Sequence, residues 1–300
     1  MKRLTQGFLC LSCILMVSTA SHSMQLSNLP DKNQTIALKT HSLFLPVGSE
    51  ESLMVMNKSL QEAVYNLSLE LTGTDLEHQL KITSNDCSVL NPGQSCRIFL
   101  KAIGKIAKPI SVRLIGENIR PITLDVMIEE LKPGIFFEGG IVYQVNPDGR
   151  SGKLCSMEDN AHFSYWGGYG MALNVLNERD GLPNSKTVAE LFEEDTDFAA
   201  GLCYRYRTDS LGQFPCQVPN RCYDGWYLPS KEELRELWQN STLAHGLIGG
   251  FSQEIYWSST EFTGLQPYFA WAVNFTSGTL IGEAKDQPHK IRCIRSFKLS

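Results

Sequence analysis

The sequence predicts two domains, an all-β sandwich over residues 24–132 and an α+β module over residues 133–300. Two observations carry this. Apolar and polar residues alternate through the first part with no sustained helical period, which is the signature of half-buried strands. Helical spacing appears only beyond residue 134 and gives way to glycine-punctuated β segments, the order expected of an α+β unit. Lys132, Pro133 and Gly134 mark the seam, a proline and a glycine between two strand-like runs.

Lys2 and Arg3 precede an apolar run from Phe8 to Val17, with small residues at Ser18, Ala20, Ser21 and Ser23. That is the layout of a secretory leader, residues 1–23, with cleavage after Ala20 or Ser23. The run is too short to serve as a bilayer-spanning anchor. Removal of the leader leaves about 277 residues, long enough for two separate cores. It also removes Cys10 and Cys13, so seven of the nine cysteines enter an oxidising compartment. Seven is odd, so one thiol is free or pairs with another molecule.

In the first domain, Tyr65, Leu67, Leu69 and Leu71 alternate with polar residues, as do Ile122, Leu124, Val126 and Ile128. Several such strands in about 108 residues suggest a two-sheet sandwich. Cys87 and Cys96 bracket Asn91-Pro92-Gly93, where proline presets the first central turn position and glycine supplies a positive φ at the second. A disulfide across this hairpin is expected. The stretch CSVLNPGQSCRIFL resembles a recurrent feature of small immunoglobulin-like domains in bacterial secreted proteins.

In the second domain, GGIVYQVNPDG at 139–149 reads as a strand and a turn. Val188, Leu191 and Phe192 have helical spacing, continued by Ala199, Leu202, Cys203 and Tyr206 behind a cap at Asp195 or Thr196. Ser230 and Glu233 form a capping box, with Leu234, Leu237 and Trp238 on the buried face. YWSSTE at 256–261, WAVNFTSG at 271–278 and HKIRCIRSF at 289–297 follow as strands. Cys216 and Cys222, in a loop with Pro215, Pro219 and Asn220, suit a local disulfide.

The ordered blocks GGIVYQV, DFAAGLC, DGWYLPSKEEL, GGFSQEIYWSSTE, AWAVNFTSG and RCIRSF, over about 139–298, resemble the C-terminal domain family of the Legionella collagen-like protein. The resemblance implies a fold similar to C-type lectin-like domains and formylglycine-generating enzymes. It also implies a disulfide from a helix cysteine to one in the final strand, roles held here by Cys203 and Cys293, which leaves Cys155 over. Family members are secreted or surface-displayed bacterial modules that adhere through sulfated glycosaminoglycans, often as trimers. A glycan or host-surface ligand, a protein partner as the alternative, and a homo-oligomer are therefore expectations.

Charge qualifies the sulfated ligand. Residues 134–300 hold 14 Lys and Arg against 20 Asp and Glu, and an acidic module repels a polyanion, nucleic acid included. A local exception runs from Lys285 through Asp286, His289, Lys290, Arg292 and Arg295 to Lys298. Lys285 and Lys290 could face one anionic group together, with Asp286 and His289 beside them. Alternatively, Arg292 and Arg295 lie on opposite faces of a strand and pair with carboxylates.

Tyr268 and Phe269, between two of the blocks, are the aromatic ligand candidates, whereas Trp226 and Trp257 are assigned to the core. Tyr165 and Trp166 are weighed as a groove edge or as core. No metal or cofactor is expected: Glu193, Glu194, Asp195 and Asp197 sit at helix-capping positions, and the histidines lack metal-ligand spacing. Glu261, Asn274, Glu283 and Asp286 are the other oxygen-bearing group considered for calcium. No HExxH, nucleophile elbow or Walker loop is present, and Cys155 with His162 lacks an orienting third group, so a binding protein rather than an enzyme is expected.

Overall fold

The computed structural model describes residues 35–192, 198–216, 221–243 and 247–299. The leader, the cap at Asp195 or Thr196, and the acidic cluster Glu193, Glu194, Asp195 and Asp197 lie outside them. Among the described residues no helix is long and apolar enough to cross a membrane.

The first half contains β1 (Ile36–Leu38), β2 (Ser42–Pro46), β3 (Glu50–Asn57), β4 (Val64–Tyr65), β5 (Ser68–Glu70), β6 (Leu80–Asn85), β7 (Val89–Leu90), β8 (Ser95–Ala102), β9 (Ile110–Ile115) and β10 (Ile122–Glu129). Alternation sets the inner faces: Ile122, Leu124, Val126 and Ile128 are buried while Thr123 and Asp125 are exposed. Two four-stranded sheets, ordered β1-β3-β8-β6 and β2-β10-β9-β5, enclose a core running from Ile36 to Ile128. This is the strand order of a constant-type immunoglobulin sandwich. The first strand is divided between the sheets, with β1 antiparallel to β3 and β2 parallel to β10.

The run from Tyr65 to Leu71 is not one strand. Asn66 takes a φ of 51°, a left-handed conformation that asparagine tolerates better than most residues, and this separates β4 from β5. Tyr65 is turned outward as a result, while Leu67 and Leu69 remain in the core. The Asn91–Gln94 turn closes as read, with Gln94 N donating to Asn91 O at 3.1 Å and Gly93 at φ 72°.

The second half contains β11 (Phe136–Phe137), β12 (Gly140–Val145), β13 (Ser151–Cys155), β14 (Ala161–Ser164), α1 (Gly181–Leu191), α2 (Ala199–Arg205), β15 (Thr208–Asp209), β16 (Cys222–Tyr223), α3 (Lys231–Leu243), β17 (Ile255–Glu261), β18 (Phe269–Asn274), β19 (Thr279–Ala284), β20 (His289–Ile291) and β21 (Ile294–Lys298). They build a four-stranded sheet, β11-β12-β13-β21, a five-stranded sheet, β14-β20-β17-β18-β19, and the β15-β16 pair. Overall the chain is mostly β.

Helix α3 starts at the capping box: Ser230 N donates to Glu233 Oε2 at 2.8 Å, and Glu233 N to Ser230 Oγ at 3.4 Å. The glutamate does more than cap. Its buried carboxylate also accepts from Gly181 N at the start of α1 (2.8 Å) and Tyr227 Oη (2.9 Å), and pairs with Lys153 of β13 (2.8 Å). Leu234 and Leu237 are fully buried, while Trp238 donates its indole N–H to Phe275 O at 3.0 Å. At Gly278, with φ 73°, a β-carbon would meet the Trp238 ring at 2.2 Å, so the turn after β18 requires glycine.

The two halves keep separate cores, one ending at Ile128 and the next opening at Leu131. They touch: Phe44 of β2 packs against the second core, and Arg221 lies 3.7 Å from Glu51 of β3.

Among the described residues three disulfides are present, Cys87–Cys96, Cys203–Cys293 and Cys216–Cys222, and Cys155 is free and buried. Their sequence separations of 9, 90 and 6 residues order their leverage on the unfolded chain. Loop-closure entropy gives about 2.5–3 kcal/mol for the first and about 4.5 kcal/mol for the second. Replacing Cys203 and Cys293 with alanine should therefore lower stability more than replacing Cys87 and Cys96. Urea titration of both double variants checks the order, and equal losses would contradict it.

Candidate functional site

Strand β17 organises the exposed end of the second half. Its residues Ser258, Ser259, Thr260 and Glu261 are polar yet fully buried, so each must be hydrogen-bonded to be tolerated. Ser258 Oγ donates to Trp271 O at 2.7 Å and Ser259 Oγ accepts from Asn184 Nδ2 at 3.5 Å, while the rest of the strand's polar groups grip the segment 164–177. Trp166 donates its indole N–H to Ser258 O (2.7 Å), Trp257 to Ser164 O (3.0 Å) and Thr260 Oγ1 to Asn177 O (2.9 Å). Glu261 accepts from Leu173 N at 2.9 Å and Val175 N at 3.3 Å.

Lys285 completes this arrangement. Its ammonium lies 2.6 Å from Glu261 Oε1, donates to Met171 O at 2.9 Å and sits 4.4 Å from the Trp166 ring centroid. Both side chains of the ion pair are 0% exposed. Burial pulls the lysine below its ordinary pKa, and Glu261 opposes that pull. The expectation that Lys285 and Lys290 face one anion together is thereby corrected, because the Lys285 charge is consumed inside the fold. Glu261 is likewise unavailable to a cation site with Asn274, Glu283 and Asp286.

Lys290 is also engaged. It lies 3.4 Å from Glu254, 3.8 Å from Asp159 and 3.4 Å from His162 Nδ1, over the Phe163 ring. Arg292 is fully buried and precedes β21 rather than lying on it. It donates to Asp159 (2.8 and 3.1 Å), Ser156 O (2.9 Å) and Gly250 O (2.5 Å) and covers the Phe251 ring. Arg295 pairs with Glu138. Lys285, Lys290, Arg292 and Arg295 of the basic run therefore pair with carboxylates and do not converge on an open site.

What the pinned loops leave exposed is aromatic. Phe163 projects from β14, Tyr165 and Tyr169 from the loop that follows it and Tyr268 from the segment before β18, each about half exposed or more. Tyr169 and Tyr268 meet edge to face, centroids 5.3 Å apart, and Gly170 N donates to Pro267 O at 2.6 Å. Phe269 is half-buried at the start of β18, and its carbonyl accepts from Phe262 N at 3.1 Å. Asp286 is exposed in the turn before β20.

A groove of about 380 Å³ is lined by Phe163, Gln253, Glu254, Ile255, Asn274, Thr276 and His289, at the end of β18 opposite to Tyr268. His289 sits at its inner wall, 4.7 Å from the Trp257 ring and 3.4 Å from the Glu283 carboxylate. Burial pulls its imidazole below the ordinary range, with Glu283 pulling the other way. Of the expected ligand residues, His289 lines this groove, Tyr268 is exposed apart from its lining, and Lys285 is withdrawn into the core. Phe163, Tyr169 and Gln253 were not anticipated, and Asn274 was considered only as a calcium ligand. The alternation in His162-Phe163-Ser164-Tyr165-Trp166 was the available signal, since it places Phe163 and Tyr165 on one outward face opposite buried Ser164 and Trp166.

Cys155 is fully buried, its thiol pushed up to about 11 by desolvation. A thiol so placed is a poor nucleophile. Trp226 and Trp257 are core residues, as is Trp166, while Tyr165 is half exposed.

No family model and no curated protein matches the chain. Among solved structures, it is similar over 32% of its length to domains 4 and 5 of the S-layer protein SbsC, with 11% identity and a TM-score of 0.26. It spans about half of that structure, 51%. The SrpA adhesin from Streptococcus sanguinis matches 41% of this chain and 73% of its own, with 14% identity and a TM-score of 0.23. The BIgI domain of beta protein from S. agalactiae, bound to CEACAM1, matches 32% of this chain and 99% of its own, with 11% identity and a TM-score of 0.20. Scores this low assign neither fold nor function.

Removing one partner of a buried ion pair leaves the other charge uncompensated, at a cost of about 3–5 kcal/mol. Lys285→Met and Glu261→Gln should each lose roughly that much, and the double variant should recover part of it. Denaturant melts of the three proteins measure this, and an unchanged Lys285→Met midpoint would refute it. His289 has a lowered pKa in the fold, so the stability it contributes is full above the ordinary imidazole range. That contribution is lost as pH falls through about 6.5, where the unfolded chain takes up the proton first. Thermal melts between about pH 8 and 5 should show a smaller acid-induced loss in His289→Gln than in the parent.

Proposed function

We propose that this chain is an exported, surface-acting binding protein whose C-terminal module, of C-type-lectin-like build, recognises a neutral glycan on its aromatic face. The observation that carries the reading is the open groove walled by the exposed Phe163 ring and edged by Asn274, Gln253 and Thr276, on a module that also exposes the Tyr169–Tyr268 pair. A sugar presents C–H faces and hydroxyl edges. Aromatic rings suit the first, and amide and hydroxyl side chains fix the second. The resemblance of the C-terminal blocks to a family of glycan-adhering modules supports the same reading. So do three disulfides, which suit an oxidising compartment.

A neutral ligand is favoured over a sulfated one because Lys285, Lys290, Arg292 and Arg295 are all engaged by carboxylates. The sandwich serves as a spacer. The second reading is a protein ligand, and one observation favours it: exposed Met171 and Leu265 accompany the tyrosines, making the loop surface apolar rather than basic.

The full chain, screened against sulfated, sialylated and neutral glycans, should bind neutral ones with little dependence on salt. Phe163→Ala and Tyr268→Ala should each weaken binding about tenfold, equivalent to about 1.4 kcal/mol, with unchanged melting temperatures because both rings are exposed. Flat signal across the panel would sink the glycan reading and leave the protein ligand. Binding confined to sulfated glycans would overturn the neutral assignment.

A further inference from the structure

A second recessed space lies far along the chain from the aromatic face. The sandwich and the segments 136–138, 210–211 and 221–223 enclose a cleft of about 820 Å³, within the roughly 300–1,000 Å³ typical of small-molecule sites. Its apolar wall comes from Phe44, Met54, Phe99 and Met127 on the sandwich and from Phe136 and Leu211 on the other side. Methionine is unbranched and conforms to flexible ligands, and phenylalanine supplies area.

The charged groups of the cleft divide into spent and unspent. Glu51 is paired with Arg221, and Glu138 with Arg295. Burial raises the Glu51 carboxyl above its ordinary pKa, while Arg221 lowers it and Glu138 adds to the rise. Lys39 and Arg97 also line the cleft, both exposed, and neither has a carboxylate partner among the described residues. Lys39 donates only to Ser210 Oγ, at 3.3 Å. The remaining acid, Asp125, accepts from Ser111 Oγ at 2.5 Å. The unspent balance is two cations against one acid, beside an apolar wall.

We propose that this cleft binds a single-chain amphiphile with an anionic head, its alkyl chain on the phenylalanine and methionine wall and its head on Arg97 and Lys39. A polyanion would find too few cations here, and a cationic amphiphile would face Arg97 and Lys39 unpaired. Arginine and lysine lining a cleft with an apolar wall match a carboxylate or phosphate on a hydrocarbon tail. The assignment is independent of the glycan reading, which uses other residues.

The test is isothermal titration of the full chain with sodium dodecanoate below its micelle concentration, with dodecyltrimethylammonium as the cationic counterpart of equal chain length. One saturable site for dodecanoate and none for the cation is expected. Arg97→Gln and Lys39→Gln should each weaken binding about five- to tenfold with unchanged melting temperature, and Tyr268→Ala should leave it unaltered. No saturable binding, equal binding of the two amphiphiles, or full affinity in both Gln variants would overturn the proposal. Flotation with dioleoylphosphatidylglycerol vesicles tests a bilayer as the source of the anion. It should be negative, and association that disappears in Arg97→Gln would replace the free amphiphile with a membrane surface.

Discussion

An ammonium and a carboxylate withdrawn completely from water cost several kcal/mol each, and mutual attraction alone seldom offsets that. Lys285 and Glu261 are in this position, so the rest of the exposed end of the module must supply the difference. It does so with backbone groups: two N–H donors for the carboxylate, from Leu173 and Val175, and the Met171 carbonyl for the ammonium, with the Trp166 face beneath it. The main chain of Lys285 is used as well, its N–H donating to Tyr268 O at 2.9 Å and its carbonyl accepting from Trp166 N at 3.2 Å. The loop has its shape because the pair must be satisfied, and the pair is tolerable because the loop wraps it. Tyr169 and Tyr268 meet at the surface as a consequence of a charge that never reaches it.

The same device recurs at Arg292 and Glu233. Arg292 ties Asp159 and Ser156 to the Gly249–Gly250 segment, and Glu233 ties the starts of α1 and α3 to β13. This suits the kind of sheet present. Strand β17 shifts register between Trp257 and Glu261, β14 between Ala161 and Ser164, and several strands are three residues or shorter. Regular ladders fix register through side-chain alternation; short, bulged strands fix it weakly. Buried polar hubs with few alternative partners then specify which segment meets which, a role for which a purely apolar core is less selective.

This division explains what could be read from the chain. The Asn91–Gln94 turn, the Ser230–Glu233 box and the alternation of β10 are decided by neighbours within a few residues, and they stand where the sequence puts them. Asn66 broke an alternating run because a single left-handed residue outweighs a pattern. The basic run from Lys285 to Lys298 looked like a surface because charges adjacent in sequence share no visible partner. Their carboxylates lie 24 residues away for Lys285, 133 for Arg292 and 157 for Arg295. The groove draws on four segments, around Phe163, Glu254, Asn274 and His289, and nothing in any one of them shows that it meets the others.

Consuming the cations inside the fold has an electrical consequence for recognition. Around the groove, the charge of Lys290 is met by Glu254 and Asp159, and Glu283 faces a His289 that burial keeps neutral. The face therefore offers no net positive field to a polyanion, although the fourteen residues from Lys285 to Lys298 are rich in lysine and arginine. Attraction there has to come from ring faces, amides and hydroxyls at short range. Such contacts discriminate by shape and hydrogen-bond pattern, and they are nearly blind to ionic strength. On the proposed reading, the chain gave up long-range steering when it buried its basic residues, and it gained a rigid platform for the tyrosines.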